Sequence, residues 1–253
     1  MAFKKILVTG FEESELSPEF WKRIDSVSEQ KIFLPKDSPE IKQHLANADC
    51  LLVKFNPVTE DWIKAAPNLK YIGVLATGYG KVALEVAKNR CVVVTNVPGY
   101  STESVAEFVF AVILKNIRHL GRAKRQAKEG NYSESGFSAT EIKDKVFGVI
   151  GAGKIGTRVA EIAQGFGANV KYWNRSRKKD LESNGIKYED VDRLFTESDI
   201  ISLNLALTKE TENFLNAKRI HSLKNGAIVV NTSPMELVDL GALEQRLTAM
   251  GGA

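Results

Sequence analysis

The chain has 253 residues, 43% hydrophobic and 26% charged, the balance of an ordinary globular protein that forms one large domain or two smaller ones. Its net charge of +4 is too mild to argue for a nucleic-acid partner, and the basic run from Lys115 to Lys128 has the helical spacing of a solvated face. No apolar stretch reaches membrane-spanning length and the N-terminus MAFKKILVTGFEE lacks a signal-peptide pattern, so no membrane partner and a cytoplasmic location are expected.

The elements alternate from the start. KKILVTG is a strand, PEFWKRIDSV a helix, KIFLP a strand, PEIKQHLANA a helix and DCLLVKF a strand. TEDWIKAAP, LKYIGVLA, VALEVAKNR and CVVVTNVP continue as helix, strand, helix and strand. Such alternation predicts a parallel sheet with helices on both faces, whose ligands gather at the carboxyl ends of the strands. Lys54 and the ATGYG turn (76–80) fall at those ends. Lys54 is either a binder of a substrate carboxylate or a solvated lysine. Cys50 and Cys91 flank strand-like sequence and are expected as buried thiols in a reducing compartment; no metal site is expected.

A long helix is predicted from about Thr102 to Lys128, with Ser104 and Glu107 at capping-box spacing near its start. Its segment VAEFVFAVIL is apolar nearly all round, which predicts burial between domains or against a second copy of the chain. The polar GNYSESGFSATEI leads on to KVFGVIGAGKIGTRVAEIAQGFGANVKYW, from Lys145 to Trp173.

That string runs strand, glycine turn, helix, strand. Gly151, Gly153 and Gly156 supply G-x-G-x-x-G where the first strand ends. In a dinucleotide site the first glycine makes the tight turn, the second lets backbone approach a pyrophosphate, and the third packs the helix on the sheet. The N–H groups opening the helix, around Lys154 and Ile155, then favour the bound anion. After the second strand, where an NAD-selecting site places an acid, this chain has Asn174, Arg175, Ser176 and Arg177. Guanidinium and hydroxyl groups bind a ribose 2′-phosphate that a carboxylate repels, so NADP(H) is expected in preference to NAD(H). The alternative is a solvated loop with only one arginine near the cofactor.

Downstream, DVDRLFTES, DIISLNL, KETENFLNAKRIHSL, AIVVNTS and LGALEQRL continue as helix, strand, helix, strand and helix. His44, His119 and His221 are the three histidines; the first two fall within predicted helices, and all three are expected in surface or packing roles.

Together TNVPGYSTESVAE (95–107), GVIGAGKIG (148–156), ISLNLALTKET (201–211) and GAIVVNTS (226–233) resemble the D-isomer-specific 2-hydroxyacid dehydrogenases in that family's order. YWNRSRKK is most similar to the glyoxylate/hydroxypyruvate reductase branch, which uses NADPH. The resemblance implies two doubly wound α/β domains: a flavodoxin-like substrate domain over 1–98 and a Rossmann dinucleotide-binding domain over 99–253. It implies an oxidoreductase acting on a small 2-keto acid as a homodimer. Thr77 and Gly78 match the turn that meets the substrate carboxylate, Thr102 matches a residue near the nicotinamide, and Thr232 joins the cofactor set.

The sequence departs from that pattern in one loop. Where the family has its catalytic arginine, this chain has Pro234, and the family's glutamate and histidine would lie beyond Ala253. The catalytic residues are therefore unassigned, and a silent NAD(P)H-binding sensor or scaffold is the alternative function. Glu236 is a new acid in the loop, but Ser233, Pro234 and Glu236 also have the pattern of a helix start. A sheet ending at Ala253 would expose an apolar edge, which implies either a covering partner or a longer gene product.

Overall fold

A computed structural model of the chain describes residues 2–54, 56–138 and 140–249. Phe55, the last residue of one expected strand, and residues 250–253 of the second expected domain lie outside the described residues. The chain divides into two compact units, Met1–Tyr100 and Ser101–Ala253.

The first unit runs β1 (Phe3–Thr9), α1 (Pro18–Asp25), β2 (Ser28–Leu34), α2 (Ile41–Leu45), β3 (Cys50–Val53), α3 (Glu60–Ala65), β4 (Tyr71–Val74), α4 (Leu84–Asn89) and β5 (Val93–Thr95). The strands pair in parallel in the order β2-β1-β3-β4-β5, the flavodoxin-like order. Side chains alternate across the sheet. Leu7, Leu51, Val53 and Ile72 join the core over α2 and α3, while Ile6, Val8, Cys50 and Leu52 meet Trp21 of α1 on the other face. All four residues of β3 are buried, as expected for a central parallel strand covered on both faces. Pro18 opens α1 with φ already set for a helix, and Thr59 caps α3 by accepting from the Trp62 N–H. Cys91 differs from expectation. It follows the end of α4 with φ +54°, and its thiol is exposed, whereas Cys50 is buried.

The second unit runs α5 (Thr102–Ile117), α6 (Leu120–Lys128), β6 (Val146–Ile150), α7 (Lys154–Gly165), β7 (Asn169–Trp173), α8 (Lys179–Ser183), β8 (Lys187–Tyr188), α9 (Val191–Glu197), β9 (Ile200–Leu203), α10 (Ala217–Ser222), β10 (Ile228–Asn231) and α11 (Leu240–Ala249). Its five parallel strands lie in the order β10-β9-β6-β7-β8. Taken from β8, this is the Rossmann order 3-2-1-4-5, with β6 central and the strand order reversing between β6 and β9. One face packs α5 and α7 around Phe110, Phe147, Val159 and Tyr172; the other packs α9, α10 and α11 around Phe195, Ile201 and Leu215. Each such fully buried side chain contributes about 1.5–3 kcal/mol of gross transfer free energy.

Several local expectations are corrected. The helix expected over 102–128 is two helices, because His119 adopts φ +49° and ends the ladder between α5 and α6. His119 is thus at a break and not within a helix; its ring meets the Ser138 carbonyl at 3.1 Å. Ser101 is the N-cap of α5, and Ser104, inside the first turn, donates to the Ser101 carbonyl, so Ser104 and Glu107 form no capping box. Along VAEFVFAVIL, Val109, Phe110 and Ile113 are in the core of this chain, while Phe108 is 59% exposed and Val112 37%, which leaves the expected burial against a second copy untested.

In KETENFLNAKRIHSL only Ala217–Ser222 is helical. The Thr211 hydroxyl engages the Thr208 N–H and the Ala206 carbonyl, offering the backbone a turn instead of a helix. Asn216 then caps α10 by accepting from the Arg219 N–H. The loop after β10 also departs from its expected helix start. Pro234 is extended (φ −54°, ψ 144°), and only a 3-10 turn, Met235–Leu237, follows. Ser233 caps nothing; its hydroxyl donates to the Leu203 carbonyl.

Candidate functional site

The glycine turn is held by contacts that demand glycine. Gly151 ends β6 with φ +91°, and a Cβ there would stand 2.6 Å from the Asn204 carbonyl oxygen. That carbonyl follows β9, so the close approach occurs at the reversal of strand order, where ligands of open α/β sheets bind. A Cβ on Gly156 would stand 1.9 Å from the Gly151 carbonyl oxygen, so a hydrogen there lets α7 meet the turn. Gly153 has nothing within 4 Å of the added Cβ position. It is the N-cap of α7 and makes no side-chain cap, so the N–H groups of the first turn remain available to an anion. These are the three geometries that a dinucleotide's pyrophosphate requires of the motif.

Asn174 ties the end of β7 to this turn. Its side-chain oxygen accepts from the Ala152 N–H at 3.1 Å, and its amide donates to the Ser176 carbonyl at 2.9 Å. A cleft of about 640 Å³ opens beside the turn, lined among others by Thr102, Gly153, Lys154, Arg158 and Lys178. Arg158 is held by Glu103 (2.8 Å) and Glu161 (3.1 Å), which raise its pKa further. Lys154 and Lys178 make no ion pair with the described residues, which leaves them as the open cations of the cleft.

The expected cofactor residues therefore separate. Gly151, Gly153, Lys154, Ile155, Gly156 and Asn174 are gathered by the β6–α7 turn, and Thr102 opens α5 on the same cleft. Thr232 donates to the Leu203 carbonyl at 3.4 Å, beside the Ser233 hydroxyl. Arg175 and Ser176 are exposed, with Arg175 near enough to Glu210 to help lower that carboxyl's pKa after its hydrogen bonds to Thr208 and to backbone. Arg177 instead turns to Glu182, donating from Nε and Nη2 at 2.9 and 2.6 Å.

In the first unit, Lys54 follows β3 and Thr77 follows β4, on the carboxyl edge of neighbouring strands. Lys54 is ion-paired with Glu15, holds that carboxyl below its usual range, and lies 5.3 Å over the Phe11 ring. Thr77 donates to the Val97 carbonyl at 3.2 Å and its own carbonyl accepts from Asn96 at 2.7 Å, while Gly78 borders open space. His44 contacts Lys5 within this unit, and His221 bonds the Ala217 carbonyl in α10. Among the described residues no three His, Cys, Asp or Glu side chains gather as a metal site would need, and no helix is long and apolar enough to cross a membrane.

Glu15, Glu182 and Asn204 escaped the sequence reading. Glu182 lies five residues past Arg177 and on a helix that the basic run concealed. Asn204 could have been found from its place directly after the strand next to β6.

Comparison with known proteins places this geometry. The NAD-binding-domain model of the D-isomer specific 2-hydroxyacid dehydrogenases matches residues 110–251. A hydroxypyruvate reductase from Blautia hydrogenotrophica is 30% identical over 227 residues, covering 86% of this chain and 70% of the relative. A glyoxylate reductase from Thermococcus litoralis is 36% identical over 198 residues, 75% of this chain and 60% of the relative. The chain thus spans 60 to 70% of the length of these curated relatives. The solved D-lactate dehydrogenase of Aquifex aeolicus, complexed with NAD and lactic acid, superposes with a TM-score of 0.88 at 32% identity, covering 97% of this chain and 74% of that one. The second unit is accordingly a nicotinamide-dinucleotide domain, and the chain belongs to the D-isomer specific 2-hydroxyacid dehydrogenase family.

Proposed function

We propose that this chain is an NAD(P)-dependent oxidoreductase of the D-2-hydroxyacid dehydrogenase type, reducing a small 2-keto acid such as glyoxylate or hydroxypyruvate. The observation that carries the reading is the glycine turn: positive φ at Gly151, open space at Gly153 and contact between Gly156 and the Gly151 carbonyl. The substrate class is supported by the relatives named as hydroxypyruvate and glyoxylate reductases. When bound, the nicotinamide supplies the hydride.

The chain's own residues have binding and orienting roles in this reading. The N–H groups opening α7, with Lys154, meet the pyrophosphate, and Thr102 borders the nicotinamide end. The 2-keto acid's carboxylate meets the Thr77–Gly78 turn, with Lys54 and its partner Glu15 beside it on the same sheet edge. We assign substrate binding to residues 1–98 and NAD(P) binding to 99–253. NADP(H) is preferred over NAD(H), because the end of β7 offers Asn174, Arg175 and Ser176 in place of an acid. The test is oxidation of NADPH by purified protein with glyoxylate and with hydroxypyruvate, followed by the reduced nicotinamide's absorbance. Zero turnover at saturation would overturn the reading for this chain.

One observation favours a second reading. Pro234 brings neither charge nor donor, and the loop's polar groups are engaged: Asn231 accepts from the Ser233 N–H at 2.9 Å and Ser233 donates to the Leu203 carbonyl at 3.1 Å. A catalytically silent NAD(P)H-binding sensor or scaffold then results, for which NADPH raises the melting temperature without turnover. In either case a homodimer through Phe108 and Val112, exposed at i and i+4 on α5, is the assembly we assign. Cytoplasmic residence fits two cysteines that are both free.

A further inference from the structure

The turn after β4 has two successive carbonyls taken from one side. The parallel pairing of β4 with β5 ends at Gly73 and Thr95, so the residues that follow β5 run beside the turn that follows β4. The Val97 N–H donates to the Ala76 carbonyl at 3.1 Å, and the Asn96 side-chain amide donates to the Thr77 carbonyl at 2.7 Å. The Thr77 hydroxyl donates in return to the Val97 carbonyl at 3.2 Å. Two consecutive peptide units are thereby fixed. One is held by backbone that any residue but proline supplies at 97, the other by a side chain that belongs to position 96 alone.

A trans peptide carries its N–H on the side opposite its carbonyl, and the described residues contain no cis bond. With the Ala76 and Thr77 carbonyls turned toward Asn96 and Val97, the N–H groups of Thr77 and Gly78 point away from that segment. Neither N–H donates to another described residue. Gly78 is exposed and has nothing within 4 Å of an added Cβ position, so a ligand reaches the pair unobstructed. Successive N–H groups directed to one side form a concavity that binds an anion. Without the Asn96 donor, the plane between Thr77 and Gly78 is free to rotate. Its carbonyl, once turned outward, would repel the anion that its N–H attracts.

The geometry points to Asn96 as a positioning residue for the substrate: its amide locks the Thr77–Gly78 peptide plane with the Gly78 N–H facing outward, ready for a 2-keto acid's carboxylate. The assignment rests on the 2-keto acid reading proposed above. Asn96 itself meets no substrate atom; it acts through the backbone of the turn. Its loss therefore falls on 2-keto acid affinity, and not on the dinucleotide, whose glycine turn lies in the second unit.

The test is titration of the full chain with glyoxylate at saturating NADPH, for the wild type, Asn96→Asp and Asn96→Ala. The aspartate variant keeps the shape and removes the donor, while the alanine variant removes the donor without adding charge. NADPH oxidation gives KM and kcat. Nuclear magnetic resonance of isotope-labelled glycine amides gives the Kd of glyoxylate even where turnover is zero. In the expected result both variants weaken glyoxylate on the order of tenfold, while kcat and the Kd of NADPH hold within about twofold. In the wild type the Gly78 amide signal moves as glyoxylate binds. Wild-type glyoxylate affinity in either variant overturns the assignment, as does an equal loss of NADPH and glyoxylate affinity. A Gly78 signal that stays still while glyoxylate binds the wild type overturns it too, whether or not the variants fold. In those three cases the 2-keto acid reading stands. If the wild type neither binds nor reduces glyoxylate or hydroxypyruvate, both are overturned together.

Discussion

Gly156→Ala tests the glycine turn most directly. The added methyl would lie 1.9 Å from the Gly151 carbonyl oxygen, 3.0 Å from its carbon and 3.3 Å from Val149 Cγ1. The first of these is more than an ångström inside any tolerated contact, and the obstacle is backbone, which cannot rotate away. The start of α7 must therefore withdraw from the turn by on the order of 1 Å, an overpacking that costs about 1–3 kcal/mol, here at the upper end. For a unit of about 150 residues, about 3 kcal/mol lowers the melting temperature by roughly 6–12 °C.

The displaced N–H groups also leave the pyrophosphate, so the stabilisation that NADPH confers by linkage shrinks. Gly153→Ala is the matched control: nothing lies within 4 Å of its added Cβ and its φ is −77°. It should melt within about 2 °C of wild type yet lose most of the NADPH-induced shift, because the methyl occupies the space the pyrophosphate needs. Thermal unfolding followed by circular dichroism, with and without NADPH, reads both effects. Wild-type melting of Gly156→Ala would refute the packing argument, and an undiminished NADPH shift in Gly153→Ala would refute the cofactor argument.

Other parts of the fold give further expectations. Glu197 bonds Lys171 at 2.6 Å and Arg193 at 2.7 Å, which together hold its carboxyl at about 2 instead of 4.5. Since its folded pKa is depressed, the pair's stabilisation is complete above about 4.5 and lost as pH falls toward 2; Glu197→Gln should flatten the melting temperature over that window. Burial pushes the Cys50 thiol up to about 12 while Cys91 is exposed, so native protein should show one fast-reacting thiol, and a second only on unfolding. The Ser198 hydroxyl is fully buried and has no hydrogen-bond partner among the described residues, so Ser198→Ala should stabilise the protein by about 1 kcal/mol in urea titration; a loss of stability would refute this. The homodimer proposed through α5 predicts that Phe108→Glu, at a residue 59% exposed, sediments as a monomer where the wild type does not; unchanged sedimentation would overturn that assignment.

Much of the fold was legible because parallel α/β architecture writes itself locally. Strands such as CLLV are apolar throughout because both faces are covered, and helices alternate with them at short spacing. The glycine turn was legible for the same reason: each glycine answers a constraint within one strand–turn–helix unit. Side-chain competition with backbone was harder to see. Thr211 and Asn216 delay α10, and the left-handed His119 divides the long helix, although the apolar period runs unbroken through the latter.

The two alternating units, the dinucleotide turn at Gly151, Gly153 and Gly156, the basic segment after β7 and the proline at 234 are all local patterns, readable from the order of residues alone. Which groups are already spoken for depends on contacts made by folding. Arg175 and Arg177 are chemically identical and two residues apart, but Glu182 and a buried Tyr172 occupy one and leave the other open. Lys54 likewise meets Glu15, 39 residues away, across the fold. Composition and spacing report what a side chain could bind; its partner depends on residues that folding brings near from other elements, and that pairing is settled by three-dimensional packing.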